Sequence, residues 1–168
     1  MEKNSGLEIG QEVFISANSI IQTSIKGSKI IIGNFTQIYD FVCIKCVGGM
    51  GDIVIGEHCY LNPGTVIYSG NGVQIGNYVL IAPGCAIIPT SHEYKDRNKY
   101  IRNQGFRPSK GGVVIGDDVW LGSNTVVLDG STIGEGSIIA ANSVVNCEIP
   151  PYEIWGGAQG RIKKIGIR

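Results

Sequence analysis

The chain has 168 residues with 14 basic and 14 acidic side chains, so its formal net charge is zero, and only 17% of its residues are charged. This length allows one hydrophobic core of ordinary size rather than two separate catalytic domains. No apolar run approaches 18 residues and no secretory leader pattern follows Met1, so we expect a soluble cytoplasmic protein.

Aliphatic residues recur at intervals of six along most of the chain, in six groups of three. A period of six fits neither an amphipathic helix nor a single strand, and indicates a solenoid whose coils each contain three short strands. We therefore predict an all-β, parallel β-helix of about six coils, in one domain over residues 1–168. The aliphatic residues that open the hexapeptides are Ile9, Ile15, Ile21, Ile32, Ile38, Ile44, Ile55, Leu61, Ile67, Ile75, Ile81, Ile87, Ile115, Leu121, Val127, Ile133, Ile139 and Val145.

Each hexapeptide also has an internal pattern. Every group of three opens with Ile-Gly, and a small or β-branched residue stands at the fifth position of a hexapeptide. The first and fifth positions should point into a narrow prism, while glycine eases corners where a side chain would not fit. The fifth-position residues are Val13, Ser19, Thr36, Val42, Cys59, Thr65, Val79, Cys85, Val119, Thr125, Ser137 and Ser143.

One interval between groups breaks this rhythm. Ile75 and Ile115 are 40 positions apart, whereas a regular coil needs 18. About 22 residues must therefore leave the prism, in an excursion that we place at about residues 91–112, and loops of this length are usually functional or disordered. A short basic tail covers about residues 150–168.

Most basic residues lie in these two segments. Residues 93–110 contain six basic and two acidic side chains, and the tail contains four more basic residues. Such segments are either solvated surface or recognition sites for anions, such as the phosphates of a cofactor or an acidic acceptor. Because no broad basic face carries stacking aromatic residues beside its charges, we do not expect nucleic acid to bind.

The chain has two histidines, His58 and His92. His92 stands at the root of the excursion, in the sixth place of the hexapeptide opened by Ile87, and should point outward. The pattern alone leaves open a solvated residue or a catalyst, and imidazole, with an unperturbed pKa of about 6.5, suits proton transfer near neutral pH. His58 also points outward, and we interpret it as a surface or subunit-contact residue. We expect the interruption to place His92 beside Trp120 on the following coil.

Five cysteines form no convincing metal or disulfide pattern. Cys43 and Cys46 are a single C-x-x-C pair without a second pair, and no nearby histidine completes a zinc set. Cys59 and Cys85 fall at inward positions, where a thiol behaves as a small hydrophobe. We predict structural thiols and no metal.

The tandem repeats of the form [Ile/Leu/Val]-Gly-x-x-[small]-x resemble those of the hexapeptide acyltransferases over roughly residues 7–165. The resemblance implies a single-stranded left-handed parallel β-helix, acetyl-CoA as acyl donor, and His92 as the general base at the loop root. Residues 80–83, which lead toward His92, are most similar to the sugar O-acetyltransferases of the galactoside, maltose and capsular polysaccharide types.

The same resemblance assigns roles to individual residues. Asn62 matches an asparagine that contacts the acceptor hydroxyl, and Trp120 matches a tryptophan at the thioester end of coenzyme A. Ser123 matches a residue whose backbone N–H faces the thioester oxygen, and Ala141 one whose backbone holds the pantetheine arm. We therefore assign Asn62 and Trp120 to substrate binding, and Trp120, Ser123 and Ala141 to binding of the acetyl-CoA donor.

The C-terminal segment resembles the part of the family that meets the phosphates of coenzyme A, through Arg161 and Lys164. Two departures affect these contacts, because Gln159 stands where proline is usual and Cys147 stands near a position that is often lysine. A third departure is Gly70, which replaces an acidic acceptor-binding residue of the galactoside type. The acceptor should therefore be held differently here.

Taken together, the resemblance implies an acetyl-CoA-dependent O-acetyltransferase in which His92 deprotonates a hydroxyl of a sugar or polysaccharide, such as capsule, lipopolysaccharide or a nucleotide-linked sugar. It also implies a homotrimer with active sites between subunits, consistent with apolar residues at outward positions. These residues are Phe35, Phe41, Tyr60, Tyr78, Leu80 and Trp120.

Three alternatives remain open at this point. An N-acetyltransferase would use the same machinery on an aminosugar. A γ-class carbonic anhydrase has the same solenoid but needs three histidine ligands. A noncatalytic solenoid would explain the repeats but not the long basic loop with His92 at its root.

Overall fold

The computed structural model describes residues 6–157 and 162–168. Within these ranges the strands are two to five residues long and form three sheets, which are the faces of a three-sided prism. Consecutive strands of the chain belong to consecutive faces, so each strand pairs in parallel with the equivalent strand of the next coil. This is the coiled arrangement that the period of six predicts.

The bounds of the strands show how each coil contributes to every face. Face 1 contains Leu7–Ile9, Ile30–Ile32, Ile53–Ile55, Val73–Ile75, Val113–Ile115, Ser131–Ile133 and Glu148–Ile149. Face 2 contains Phe14–Ile15, Gln37–Ile38, Tyr60–Leu61, Leu80–Ile81, Trp120–Leu121, Ile138–Ile139, Glu153–Gly156 and Lys163–Ile167. Face 3 contains Ile20–Gln22, Cys43–Lys45, Val66–Tyr68, Ala86–Ile88, Val126–Leu128 and Val144–Val145.

The predicted inward positions fill the prism. From the second coil onward all fifteen aliphatic residues that open a hexapeptide are at most 3% exposed, and the fifth-position residues of those coils are at most 1% exposed. The first coil differs, since Ile9 is 48% exposed and Ile15 and Ile21 are only partly buried. This coil has a neighbour on one side only in the described structure, so its side chains cover the end of the core instead of being enclosed by it.

The segment predicted as a basic tail is more regular than expected. Ile149 is 1% exposed and Glu153–Gly156 continues face 2, so part of a seventh coil follows the six. The sequence pattern missed it because Val145 and Ile149 are four residues apart rather than six. Lys163–Ile167 then returns antiparallel along Glu153–Gly156, and lysine at such an edge discourages further strand pairing.

Close stacking explains the Ile-Gly pairs that open each coil. A Cβ atom added to Gly33 would lie 2.5 Å from the carbonyl carbon of Gly56, and one added to Gly116 would lie 2.7 Å from the backbone nitrogen of Glu135. Neither glycine has a positive φ. The glycines are therefore required by the approach of the next coil's backbone, not by a left-handed turn.

In the described ranges, no helix has the length and apolar character needed to cross a membrane. The helical turn Ile101–Asn103 lies in the long excursion between Ile88 and Val113.

Substituting Gly33→Ala should destabilise the protein, because the new methyl group meets backbone that side-chain rotation does not move. We expect a loss of about 1–3 kcal/mol in the free energy of unfolding, typical of overpacking. Gly166→Ala is the matched control, since its Cβ would lie 3.5 Å from Ile154 Cδ1, an ordinary contact. Urea unfolding at one fixed protein concentration measures both, and equal effects of the two substitutions would contradict the stacking explanation.

Candidate functional site

The long excursion leaves the prism at the corner between faces 3 and 1. Its two ends pair with each other, because the Glu93 N–H donates to the Gly105 carbonyl at 3.0 Å and the Arg107 N–H donates to the Ser91 carbonyl at 2.9 Å. The excursion is therefore an ordered hairpin rather than a free loop.

His92 lies in this paired root, and its side chain is exposed, as the hexapeptide position predicts. Its ring stacks against Phe106, which faces it across the hairpin, with ring centroids 4.8 Å apart and an interplanar angle of 29°. Phe106 thus covers one face of the imidazole, while the His92 residue as a whole stays exposed. Sequence reasoning missed Phe106, because no periodicity marks a residue that pairs across a hairpin.

A cleft of about 530 Å³ opens beside this pair. Phe106 forms one wall, and the corners that connect faces 3 and 1 in the first two coils form the rest. Among the lining residues, Ile25 is fully exposed, Met50 is 68% exposed and Phe106 is 51% exposed. A ligand in this cleft would meet apolar side chains next to an accessible imidazole.

Asn62 and Trp120 lie together on a different part of the prism. Trp120 follows Tyr60 and Leu80 in the outward register of face 2 and is 49% exposed. With Asn62 and Pro83, these residues line a shallow depression of about 390 Å³. The Asn62 Nδ2 donates to the Ile81 carbonyl at 2.9 Å, which fixes the orientation of the amide.

Ser123 and Ala141 occupy equivalent turns between faces 2 and 3 in consecutive coils. The Asn142 N–H donates to the Ser123 carbonyl at 2.8 Å, so the two turns are stacked. Within residues 6–157 and 162–168, the backbone N–H groups of Ser123 and Ala141 have no protein acceptor. The same turn position in the third and fourth coils is proline, Pro63 and Pro83, which has no N–H.

Some of the equivalent turns between faces 1 and 2 satisfy their N–H groups in another way. There the side chain of the next coil accepts the bond: the Glu57 N–H donates to Asn77 Oδ1 at 2.9 Å, and the Asn77 N–H donates to Asp117 Oδ1 at 2.7 Å. Within the described residues, the N–H groups of Asn34, Asp117 and Glu135 at this corner also have no acceptor, so open donors occur at both corners.

The C-terminal candidates are only partly described. Arg161 and the departure at Gln159 lie outside the described residues. Lys164 is in the antiparallel strand, with its Nζ 2.6 Å from Glu153 Oε1. The hydrogen bond from Lys164, together with one from the Trp155 indole, lowers the pKa of Glu153. Cys147 is partly buried against the core.

Within one chain, the structure does not bring His92 beside Trp120, contrary to our expectation. His92 follows a strand of face 3 and lies at the corner with face 1, whereas Trp120 points outward from face 2. Asn62, Ser123 and Ala141 lie on the Trp120 side. The candidate residues thus form two separate groups on one prism.

The surroundings of His58 and of the two inward-facing cysteines indicate structural roles for these residues. His58 lies between Phe35 and Tyr78, with ring centroids 4.8 and 4.9 Å away. Cys59 and Cys85 are fully buried, as predicted, and burial raises the pKa of both thiols. Residues 6–157 and 162–168 contain no group of three His, Cys, Asp or Glu side chains placed to hold a metal ion.

Comparison with known proteins agrees with this architecture. Residues 112–147 match the family model described as bacterial transferase hexapeptide (six repeats). The chain is 36% identical to galactoside O-acetyltransferase of Escherichia coli over 66% of this chain and 53% of the relative. It is 47% identical to the protein named probable macrolide acetyltransferase of Lysinibacillus sphaericus, over 78% of this chain and 66% of the relative. The chain thus spans about half to two thirds of the length of these curated relatives.

A solved structure extends the similarity to most of the chain. The hexapeptide-repeat acetyltransferase VCA0836 of Vibrio cholerae, crystallised with acetyl coenzyme A, is 30% identical with a TM-score of 0.56. The similarity covers 84% of this chain and 69% of that one. The chain belongs to the hexapeptide-repeat acetyltransferases, and its fold is their left-handed parallel β-helix.

Proposed function

We propose that this protein transfers an acetyl group from acetyl-CoA to a hydroxyl of a sugar or polysaccharide. The observation that carries the proposal is His92, an exposed imidazole held at an ordered loop root beside an open cleft. The named activities of the relatives support acetyl transfer, and galactoside O-acetyltransferase supports a sugar hydroxyl as acceptor. A cytoplasmic location belongs to the same proposal.

In this mechanism His92 acts as the general base and no covalent enzyme intermediate forms. The imidazole accepts the proton of the acceptor hydroxyl while the hydroxyl oxygen attacks the thioester carbonyl. The backbone N–H of Ser123 stabilises the negative oxygen that develops on the carbonyl. When the carbon–sulfur bond breaks, the imidazolium returns its proton to the departing thiolate, so the histidine is restored.

The two groups of candidate residues imply that each active site uses two chains. In this arrangement His92 of one chain would face four residues of a neighbouring chain, namely Asn62, Trp120, Ser123 and Ala141. The contact would include the outward residues Tyr60, Leu80 and Trp120 of face 2. A ring of three chains closes such a head-to-tail contact and gives three identical sites. We therefore propose a homotrimer.

The donor would extend from Trp120 along the open N–H groups of Ser123 and Ala141 toward the C-terminal strand. Arg161 and Lys164 remain our proposed phosphate contacts. Because Lys164 already pairs with Glu153, it would meet a phosphate as part of an ion pair rather than as an isolated charge.

A second candidate acceptor is a hydroxyl on a larger, partly apolar molecule. The cleft beside His92 favours it, since Ile25, Met50 and Phe106 expose apolar surface there. The similarity to a protein named as a macrolide acetyltransferase is in keeping with such a ligand. Both candidates share the donor, the base and the reaction.

Replacing His92 by alanine should abolish acceptor-dependent release of coenzyme A. We expect kcat to fall about 10²- to 10⁴-fold, the usual contribution of a general base. His58→Ala is the matched control and should keep its activity, since His58 lies at a different corner between Phe35 and Tyr78. Thiol release from acetyl-CoA is measured with a panel of sugars and apolar alcohols. Full activity of His92→Ala would overturn the mechanism.

A mixture of two inactive variants tests whether sites are shared. If His92→Ala and Trp120→Ala chains are unfolded together and refolded as mixed trimers, about a quarter of the sites should combine an intact His92 with an intact Trp120. Each variant refolded alone is the control, and light scattering should give three times the chain mass. A monomeric mass, or no recovered activity in mixed trimers, would contradict the shared site.

The cleft beside His92 leads to a separate prediction, about an apolar contact between the acceptor and Ile25. Ile25→Ser should raise KM for an acceptor with an apolar surface by about tenfold, as expected for losing an aliphatic contact that the bound acceptor would bury, and leave KM for acetyl-CoA unchanged. Ile167→Ser is the control, because Ile167 is 71% exposed but lies outside the cleft. Equal KM values for Ile25→Ser and the parent would favour a purely polar sugar as acceptor.

A further inference from the structure

A second cavity, of about 540 Å³, opens on the other side of the loop root. Residues of the hairpin line one side, and the corners between faces 3 and 1 in the fifth and sixth coils line the other. Three cations line it, namely Lys95, Arg107 and Lys110, together with two carboxylates, Glu93 and Asp129. None of these five residues has a role in the proposed acetyl transfer.

Alternation along the paired hairpin explains why the two cavities are separate. Successive side chains of an extended strand point to opposite sides. His92 pairs with Phe106, and Phe106 lines the apolar cleft. Their neighbours Ser91, Glu93 and Arg107 line the basic cavity instead.

Backbone N–H groups already donate hydrogen bonds to both carboxylates of the cavity. Asp129 is only 9% exposed, and it accepts the N–H of Lys110 on Oδ2 and the N–H of Gly112 on Oδ1, both at 2.9 Å. Glu93 Oε1 accepts the N–H groups of Tyr94 at 2.8 Å and Lys95 at 3.2 Å. These bonds also lower the pKa of Glu93, so it remains a carboxylate.

The three cations form no salt bridge in the described part of the chain, although the charges of Lys95 and Arg107 add to the backbone bonds in lowering the pKa of Glu93. The salt bridges in the described part of the chain belong to Lys29, Lys99, Lys164 and Arg168. Three cations and two carboxylates line the cavity, which leaves an excess of one positive charge that an anion would neutralise. This excess charge favours an anion as ligand, since the cavity is large enough for a small anion and its carboxylates already accept backbone N–H groups.

Two of the cations are also held in place before any ligand arrives. The Arg107 guanidinium lies 5.4 Å from the centroid of the Tyr94 ring, and its backbone is fixed by the bond to Ser91. The Lys110 backbone is fixed by Asp129, and its side chain passes over Gly130, where an added Cβ would lie 2.8 Å from Lys110 Cβ. Preorganised cations lose little conformational entropy when they bind an anion.

We propose that Lys95, Arg107 and Lys110 form a phosphate-binding site on the far side of the loop root from the His92 imidazole. Arginine matches the geometry of phosphate oxygens through paired N–H donors, and the two lysines supply further charge. The phosphate has two possible carriers, the acetyl-CoA donor and a phosphorylated or nucleotide-linked acceptor. Only the choice of carrier rests on the proposed acetyl transfer.

Calorimetric titration of the full chain with inorganic diphosphate tests the site without any turnover. The parent should bind, and Arg107→Gln and Lys110→Gln should each weaken binding at least tenfold. Arg102→Gln is the matched control, since Arg102 is exposed in the same excursion but does not line the cavity. Unchanged thermal unfolding confirms that each variant folds. No binding by the parent, or equal weakening in Arg102→Gln, would overturn the proposal.

Steady-state kinetics then identify the carrier. If Arg107→Gln raises KM for acetyl-CoA at least tenfold and leaves KM for S-acetylpantetheine unchanged, the site binds the donor's phosphates. If it raises KM for a nucleotide-linked acceptor and leaves KM for its unphosphorylated counterpart unchanged, the site binds the acceptor. If no KM changes, diphosphate is an adventitious ion and the proposal is wrong. Absence of any turnover would refute the acetyltransferase assignment while the calorimetric result still decides the phosphate site.

Discussion

Vertical alignment of successive coils is the constraint on which this structure depends. Parallel pairing sets neighbouring coils about 4.8 Å apart, so each residue lies directly over its counterpart in the coil below. At the corners that begin each coil this spacing leaves no room for a Cβ, as the approach of Gly33 to Gly56 shows. On the faces it lines up like positions, which is why Tyr60, Leu80 and Trp120 form one outward column.

The same alignment gives each corner its own chemistry. Between faces 1 and 2 side chains occupy some of the turn N–H groups, as Asn77 does for Glu57 and Asp117 does for Asn77. Between faces 2 and 3 proline removes the donor in the third and fourth coils, and Ser123 and Ala141 leave it open in the fifth and sixth. Between faces 3 and 1 the chain departs altogether and forms the hairpin with His92. A fold made of identical units thus presents three different surfaces.

Much of this could be predicted from the sequence, because the repeat determines both burial and face. The buried aliphatic residues and the outward direction of His92 followed from hexapeptide position. The separation of His92 from Trp120 could also have been predicted, since Ile87 opens a hexapeptide of face 3 while Trp120 immediately precedes Leu121 of face 2. Two features lie outside the repeat and could not be predicted from it. Phe106 meets His92 through an antiparallel bridge, and the strand after Val145 begins two residues early.

The paired root of the hairpin separates an apolar cleft from a basic cavity with a wall only two strands thick. Successive side chains along the two paired strands alternate between the cleft and the cavity. The register of this pairing therefore decides which residues face each side, even though the rest of the excursion is exposed. Insertions near the tip, around Lys99 or Asn103, would leave the wall intact. One residue added between Ser91 and His92 would turn the imidazole toward the basic cavity and a carboxylate toward the cleft. The length of the excursion can therefore change at its tip without moving His92, whereas the side of the hairpin that His92 faces depends on the register at the root.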